Sequence, residues 1–444
     1  MLEPGAPNAQ NRLTAVAAAA RISAGELSSS GLVQSCLDRI AEREPVVHAW
    51  AHIDPVDALD QARAQDTAAA AGPLRGIPIA IKDVIDVAGM PTRMGSPIYS
   101  EYRPFADAAC VAALRSAGAV ILGKTVTAEF AGVYPGPTTH PAAPDRTPGG
   151  SSSGSAAAVA DFMVPVALGT QTGGSIIRPA AFCGVVGFKP SFGVISRAGL
   201  KLAADNLDTI GLIARDVDDV ALVWNVLVGA NTVSLSSRAT PPRLLVFRGH
   251  RWDRAAPETV SALSQTIGYL ECRGAHVVEL PLPDGFGELS KARVVINGYE
   301  RARALGWEAA HHGGSLSDAM SRVIANGRTF SYDDYLGALR LVERWRHWFA
   351  NTIESYDAVV TAAVSGEAPL GLASTGDASF QEIWSLLHLP AITLPLATGP
   401  SGLPVGVQFV GPRLDDLQLL QLAKWVFDGR KSPFSFEPTG ARSI

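Results

Sequence analysis

Nowhere in these 444 residues do eighteen apolar side chains follow one another, so no stretch has the length and hydropathy of a membrane-spanning helix. Lysine and arginine form no run, and a formal net charge of −5 argues against nucleic acid or an anionic membrane as a partner. Cysteine is scarce. Cys36, Cys110, Cys183 and Cys272 lie far apart without a C-x-x-C, which argues against a zinc knuckle or a disulfide framework and makes them reduced core residues. The nine histidines fall into no recognisable base motif. No metal and no cofactor are expected. The stretch "MLEPGAPNAQNRLTAVAAAA" lacks a basic segment followed by an unbroken apolar one, so a cytoplasmic location is expected.

What is present is apolar bulk: 47% hydrophobic and 18% charged residues, the profile of a well-buried globular protein with a small-molecule partner. "SSGLVQSCLDRIAERE" carries a serine cap signal and apolar residues at Leu32, Val33, Cys36, Leu37 and Ile40, which is helical spacing. The period then changes. "GIPIAIKDV" and "GAVILGKT" are short β-branched runs bounded by glycine, with the helix-like "DAACVAALRSAG" between them. The alternation recurs in "PRLLVF", "HVVEL", "YDAVVTA", "AITLPL" and "GVQFVG". An α/β fold follows, its sheet mixed and mostly parallel. Residues 1–70 are expected to form a helical segment packed on a single α/β domain at 71–435. A helical insertion at about 290–355 covers one side of that domain, with Trp307, Trp345 and Trp348 assigned to packing.

Two motif matches fail on local structure. "GAVILGKT" fits the phosphate-binding loop pattern, but its variable positions are Ala119, Val120, Ile121 and Leu122, which pair as a buried strand and leave Lys124 no phosphate to hold. "GSSSG" fits the nucleophile elbow around Ser152, yet the preceding "PTTHPAAPDRTP" holds four prolines and cannot be the strand that such an elbow requires.

A serine can also be activated by a neutral lysine. Lys82 ends the apolar strand "GIPIAIKD", where burial disfavours the ammonium ion. Making a lysine of ordinary pKa half neutral at pH 7 costs about 4.6 kcal/mol, which deep burial can supply. The alternative for Lys82 is an ion pair with Asp83 or another carboxylate at the sheet edge. Two glycine-serine stretches accompany it: "TPGGSSSGSAAAVA" and "GTQTGGSIIRPAAFCGVVGFKPS". Consecutive glycines are needed where the backbone approaches something closely or takes a positive φ.

These three stretches resemble the amidase signature family, with Lys82, Ser151 and Ser175 at the positions of its lysine, its serine in a cis peptide and its nucleophilic serine. "LPAITLPLATGPSGLPVGVQFVGPRLDDLQLLQLA" is similar to the family's C-terminal segment, so the resemblance covers most of the chain. It implies a sheet of about a dozen strands sandwiched between helices. It also implies an oxyanion hole at the amides of Thr172, Gly173, Gly174 and Ser175, and hydrolysis of a small amide through an acyl-enzyme on Ser175, with Lys82 and Ser151 relaying protons.

Gln171, where many members have an acid, and the arginine placed three positions after Ser175 look more like malonamidase-type members, in which the corresponding arginine holds a substrate carboxylate. A guanidinium fork suits that task. Arg178 is left between that role and a bond to a protein carboxylate. Tyr134 and Trp384 are further candidates for lining the pocket, with core packing an equal explanation. The same chemistry would cleave a carbamate (urethane) or urea-type C–N bond. The family also includes the A subunit of glutamyl-tRNA amidotransferase, which passes ammonia to a partner protein. The expected partner is a small-molecule amide or carbamate, with no nucleic acid and no membrane, and the expected state is a monomer or homodimer.

Overall fold

Glycine and proline punctuate short runs of valine, isoleucine and leucine, and in the computed structural model, which describes residues 10–68, 72–230 and 235–429, these runs form one sheet. Its strands are β1 (Trp50–Ile53), β2 (Pro78–Lys82), β3 (Val120–Thr125), β4 (Val166–Gln171), β5 (Val186–Lys189), β6 (Thr209–Ala214), β7 (Arg243–Val246), β8 (His276–Glu279), β9 (Ala358–Ala362), β10 (Ala391–Thr398) and β11 (Pro404–Val410). Across the sheet the order is β1-β3-β2-β4-β6-β5-β10-β11-β9-β7-β8. The boundaries expected at 70–71 and at 435 lie outside the described residues.

The α/β class and the large mixed sheet flanked by helices are as expected, with eleven strands. The pairing balance is not mostly parallel: β2 runs parallel to β3 and β4, and β7 to β8 and β9, while the other six pairings are antiparallel. Connection length is the reason. The helices Ala109–Ser116 and Ser153–Ala160 give β2, β3 and β4 the crossovers that parallel neighbours require. Residues 399–403 are too few for a crossover, so β11 returns antiparallel beside β10. β6 lies antiparallel between β4 and β5, which therefore share a direction without touching.

Between β8 and β9 the chain is helical, as Glu288–Ala304, Gly306–His311, Asp318–Gly327 and Tyr332–Ile353. The last opens on a reciprocal cap between Ser331 and Asp334. Glu288–Ala304 crosses Asp318–Gly327 at backbone contact, since a Cβ on Gly327 would stand 2.0 Å from Gly298 O. Trp345 packs edge-on against Phe286 and Trp348, whereas Trp307 is half exposed and stacks on His311. Cys36, Cys110 and Cys183 are buried, but Cys272 is exposed, which corrects its assignment to the core: it is the last residue of the helix Pro257–Cys272, on the face away from the sheet side lined by Ala262, Leu263 and Leu270. Among the described residues no helix is long and apolar enough to cross a membrane, and no group of three or more His, Cys, Asp or Glu could hold a metal ion.

Candidate active site

β2 is buried along its whole length between β3 and β4, so Lys82 at its end has no route to solvent and is 0% exposed. Its Nζ donates to Ser151 Oγ at 2.7 Å, Thr170 Oγ1 at 2.8 Å and Thr170 O at 3.4 Å. No carboxylate lies within ion-pair distance of it among the described residues. Burial pulls its pKa well below the usual lysine range; Asp208 opposes this, and Arg301 and Arg178 add to it. Asp83 does not pair with Lys82. Successive strand residues face opposite sides of a sheet, and Asp83 instead binds Lys124 at 3.0 Å, beside Thr92 Oγ1 at 2.6 Å from the same ammonium. A third buried lysine, Lys189, is pushed down to about 7 by burial, but it donates to the carbonyls of Pro190 and Leu389. Of the three, Lys82 is the one bonded to serine.

The peptide bond between Gly150 and Ser151 is cis, the conformation that the resemblance implies. Ser152 bridges the backbone of β4, donating to Thr170 O and accepting from Thr170 N, both at 3.2 Å. Its hydroxyl is committed to holding the loop. Ser152 N also donates to Ser175 O at 3.3 Å, which draws the two glycine-serine stretches together. No hydrogen bond joins the hydroxyls of Ser151 and Ser175 among the described residues.

Thr172–Ser175 link β4 to the helix Ile177–Cys183. Neither Gly173 nor Gly174 takes a positive φ, and close approach is what Gly174 serves. A Cβ on Gly174 would stand 2.3 Å from Gln381 Oε1 and 2.9 Å from Gln381 Cδ, while Gly173 has nothing nearer than Arg293 Nη1 at 3.8 Å. Gln171 fastens the turn from within. Its Oε1 accepts from Ile176 N at 2.8 Å and Ile177 N at 3.0 Å, and its Nε2 donates to Ser385 Oγ at 3.0 Å, which in turn donates to Gly173 O at 2.7 Å. Thr172 Oγ1 donates to Asp208 Oδ1 at 2.5 Å. An acid at position 171 would accept the same two amides but could not donate to Ser385.

The residues Thr172 to Ser175 border a cavity of about 170 Å³. Arg178 lies in its wall, 5% exposed; its Nη2 donates to Gly150 O at 2.7 Å and Thr375 Oγ1 at 3.1 Å, and its Nε has no acceptor among the described residues. No protein carboxylate is within ion-pair distance of Arg178 among those residues either. Burial lowers its pKa to about 10, against the pull of Asp377, so it stays charged at neutral pH. Tyr134 is 53% exposed and outside the cavity wall, which its neighbours Ala131, Gly132 and Val133 reach. Trp384 packs edge-on against Phe247 and Phe349 in the core.

Sequence reasoning missed Arg293, Asn297 and Arg301, which line the cavity from the helix Glu288–Ala304. A signal was available, because a spacing of four residues puts all three on one helix face. Asp208, Thr170 and Ser385 gave no such signal.

Comparison with known proteins agrees with this architecture. The family model described as Amidase matches residues 31–420. The A subunit of glutamyl-tRNA(Gln) amidotransferase from Symbiobacterium thermophilum is 34% identical, with 91% of this chain and 94% of that protein covered. The structure of native peptide amidase from Stenotrophomonas maltophilia superposes with a TM-score of 0.81 at 29% identity, covering 94% of this chain and 96% of that one. A chain from a vestigial protein complex that bears on the origins of an s-triazine catabolic enzyme gives a TM-score of 0.85 at 26% identity, covering 94% and 98%. These findings reach the family and not the malonamidase type within it. They also overturn the expectation about partners. Relatives matched over nine tenths of the chain are named as one component of a glutamyl-tRNA amidotransferase, so a free-standing monomer or homodimer meeting only a small amide or carbamate, and no nucleic acid, is withdrawn. The match over residues 31–420, together with that degree of identity, makes this chain a member of the amidase family, whose enzymes hydrolyse C–N bonds.

Proposed function

We propose that this chain is the amide-hydrolysing component of a larger, cytoplasmic amidotransferase-like assembly, taking a primary amide that bears a carboxylate and releasing ammonia. The observation that carries the chemistry is Lys82 Nζ at 2.7 Å from Ser151 Oγ, with no neutralising carboxylate among the described residues. A lysine so placed is held neutral by desolvation and can accept a proton. Lys82 takes the proton of Ser151 as Ser151 takes that of Ser175, and Ser175 Oγ bonds to the amide carbonyl carbon. The amides of Thr172, Gly173, Gly174 and Ser175 bear on the carbonyl oxygen as it becomes negative; one such donor contributes roughly 3–4 kcal/mol. The C–N bond then breaks, Ser151 returns a proton to the leaving nitrogen, and water hydrolyses the ester on Ser175 to the free acid. The assembly reading rests on the relatives named as the A subunit of glutamyl-tRNA(Gln) amidotransferase.

Intact-protein mass spectrometry after exposure to primary amides tests the chemistry: an acyl adduct mapping to Ser175, with ammonia in the medium, is expected, and an adduct elsewhere overturns it. Gel filtration of the chain drawn from its own cells tests the assembly. Elution with stoichiometric companions is expected, and elution at its chain mass of 46.5 kDa overturns it.

Arg178 has no protein carboxylate among the described residues to neutralise it, which favours the substrate's carboxylate as its counter-ion. Arg178→Ala is therefore expected to lower kcat/KM for carboxylate-bearing amides by about 2–5 kcal/mol and for neutral amides far less. Lysine should rescue poorly, lacking the fork. An equal loss on both substrate classes with a lowered Tm contradicts this assignment. Ser385→Ala removes the donor to Gly173 O and the acceptor for Gln171. A fall in kcat of about 5- to 10-fold with KM little changed is expected, the lower end of what two lost hydrogen bonds contribute. A raised KM at constant kcat would instead place Ser385 in substrate binding.

A further inference from the structure

The cavity beside Ser175 holds three guanidinium groups, Arg178, Arg293 and Arg301, and no acidic side chain in its wall among the described residues. Their counter-charges are not equal. Arg293 is paired with Glu382 at 2.7 Å. Arg178 has no ion pair among the described residues, and the two carboxylates that act on it electrostatically, Asp377 and Glu382, are bound to Arg254 at 2.8 Å and to Arg293 at 2.7 Å. Arg301 is 4% exposed, and the one hydrogen bond of its guanidinium among the described residues is from Nη1 to Phe130 O at 3.1 Å. Asp208 acts on Arg301 electrostatically but forms no ion pair with it among the described residues; its oxygens accept instead from Thr172 Oγ1 and from the amides of Ala203 and Ala204, at 2.5, 2.5 and 3.0 Å. Asn297 lies one helical turn from both Arg293 and Arg301, and its buried Oδ1 has no protein donor among the described residues.

Buried charges without partners are costly, and proteins keep them where a ligand supplies the opposite sign. One carboxylate matches Arg178. A second buried, unpaired cation in the same cavity calls for a second anion.

We infer that the donor amide carries two acid groups, one held by Arg178 and one by Arg301, so that the helix Glu288–Ala304 selects dianionic over monoanionic amides. This rests on the proposed function, whose donor it specifies. Arg293, already neutralised by Glu382, contributes a hydrogen-bond donor and little net charge. The positive cavity disfavours an amide that carries a free ammonium.

The experiment uses three primary amides of increasing charge: butyramide, succinamate and 3-carbamoylpentanedioate, with none, one and two carboxylates. Wild-type kcat/KM, read as ammonia release, is expected to favour the dianion over succinamate by about 30-fold or more, the lower end of what a buried charge pair contributes. Arg301→Leu should collapse that ratio and Arg301→Lys restore part of it, while the ligand-free Tm of Arg301→Leu stays level or rises because an unpaired buried charge is gone. Calorimetric titration of Ser175→Ala with the same amides reads binding without turnover and should show the same order. A wild-type preference for succinamate, equal binding of the two anions, or equal loss on all three amides with a lowered Tm in Arg301→Leu each overturns the inference. Absence of ammonia release from every amide, with the dianion still bound tightest, would fault the proposed hydrolysis and leave the selectivity standing.

Discussion

Ser175→Ala is expected to lose turnover by about 10⁴- to 10⁶-fold and to take no label from a serine-directed fluorophosphonate, because deleting a nucleophile that acts as a unit with its base costs nearly all of the covalent route. The competing serine makes the comparison sharp. Ser152 satisfies the elbow pattern, yet its hydroxyl bridges Thr170 O and Thr170 N and follows no strand. Ser152→Ala should still label at Ser175, with a stability loss of about 1–3 kcal/mol from the two hydrogen bonds removed. Labelling that survives in Ser175→Ala and vanishes in Ser152→Ala refutes the assignment of the nucleophile.

Lys82→Met is expected to lower kcat by about 10³- to 10⁴-fold while leaving the Tm at neutral pH unchanged or higher. A general base contributes about 10²- to 10⁴-fold by itself, and in the proposed mechanism it also starts the relay through Ser151. The stability half follows from burial. The folded pKa of Lys82 is depressed, mainly by desolvation, so between that value and the unfolded value of about 10.4 the unfolded chain binds more protons than the folded one. Stability contributed at this site therefore rises with pH through that window and is lowest below it, where a charged lysine must be held in the core. A methionine carries no such term. Wild-type activity should rise with pH through the same depressed pKa, and the rise should be absent from the residual activity of Lys82→Met. A mutant that keeps wild-type kcat removes Lys82 from the mechanism; one that fails to fold at any pH shows that the bonds to Ser151 and Thr170 outweigh the desolvation.

The motif-bearing loops were the most legible part of the chain, for a local reason. Gly149, Gly150 and Gly174 stand where the backbone passes close to other atoms, and a short glycine-serine string advertises such a place whatever surrounds it. The shift of the arginine to position 178 was legible in the same way. The strands β1 and β6 were less so: "WAHI" is short and half buried, and "TIGLIA" lies in a stretch to which no element was assigned, so the antiparallel middle of the sheet was missed. Tyr134 shows the limit of position along the chain. It lies two residues from Gly132 in the cavity wall, yet its own side chain turns outward.

By itself the sequence determined which groups are available for chemistry: a lysine ending an apolar strand, two serines in glycine-rich turns, an arginine three residues beyond the second. Tertiary structure alone decided what those groups are. Lys82 is bonded to a serine and not to a carboxylate because Asp83 is claimed by Lys124 across the strand pair, while Ser151 and Thr170, 69 and 88 residues away, close around its nitrogen. Arg178 is a cation without a carboxylate among the described residues, because none arrives beside it when the loop at Thr375 folds over it, and Arg301 joins it from a helix more than a hundred residues distant. Desolvation and Coulomb interaction depend on distance through space and on what excludes water. Residues far apart in the chain set both, so charge state and counter-ion could be read only once the sheet had brought them together.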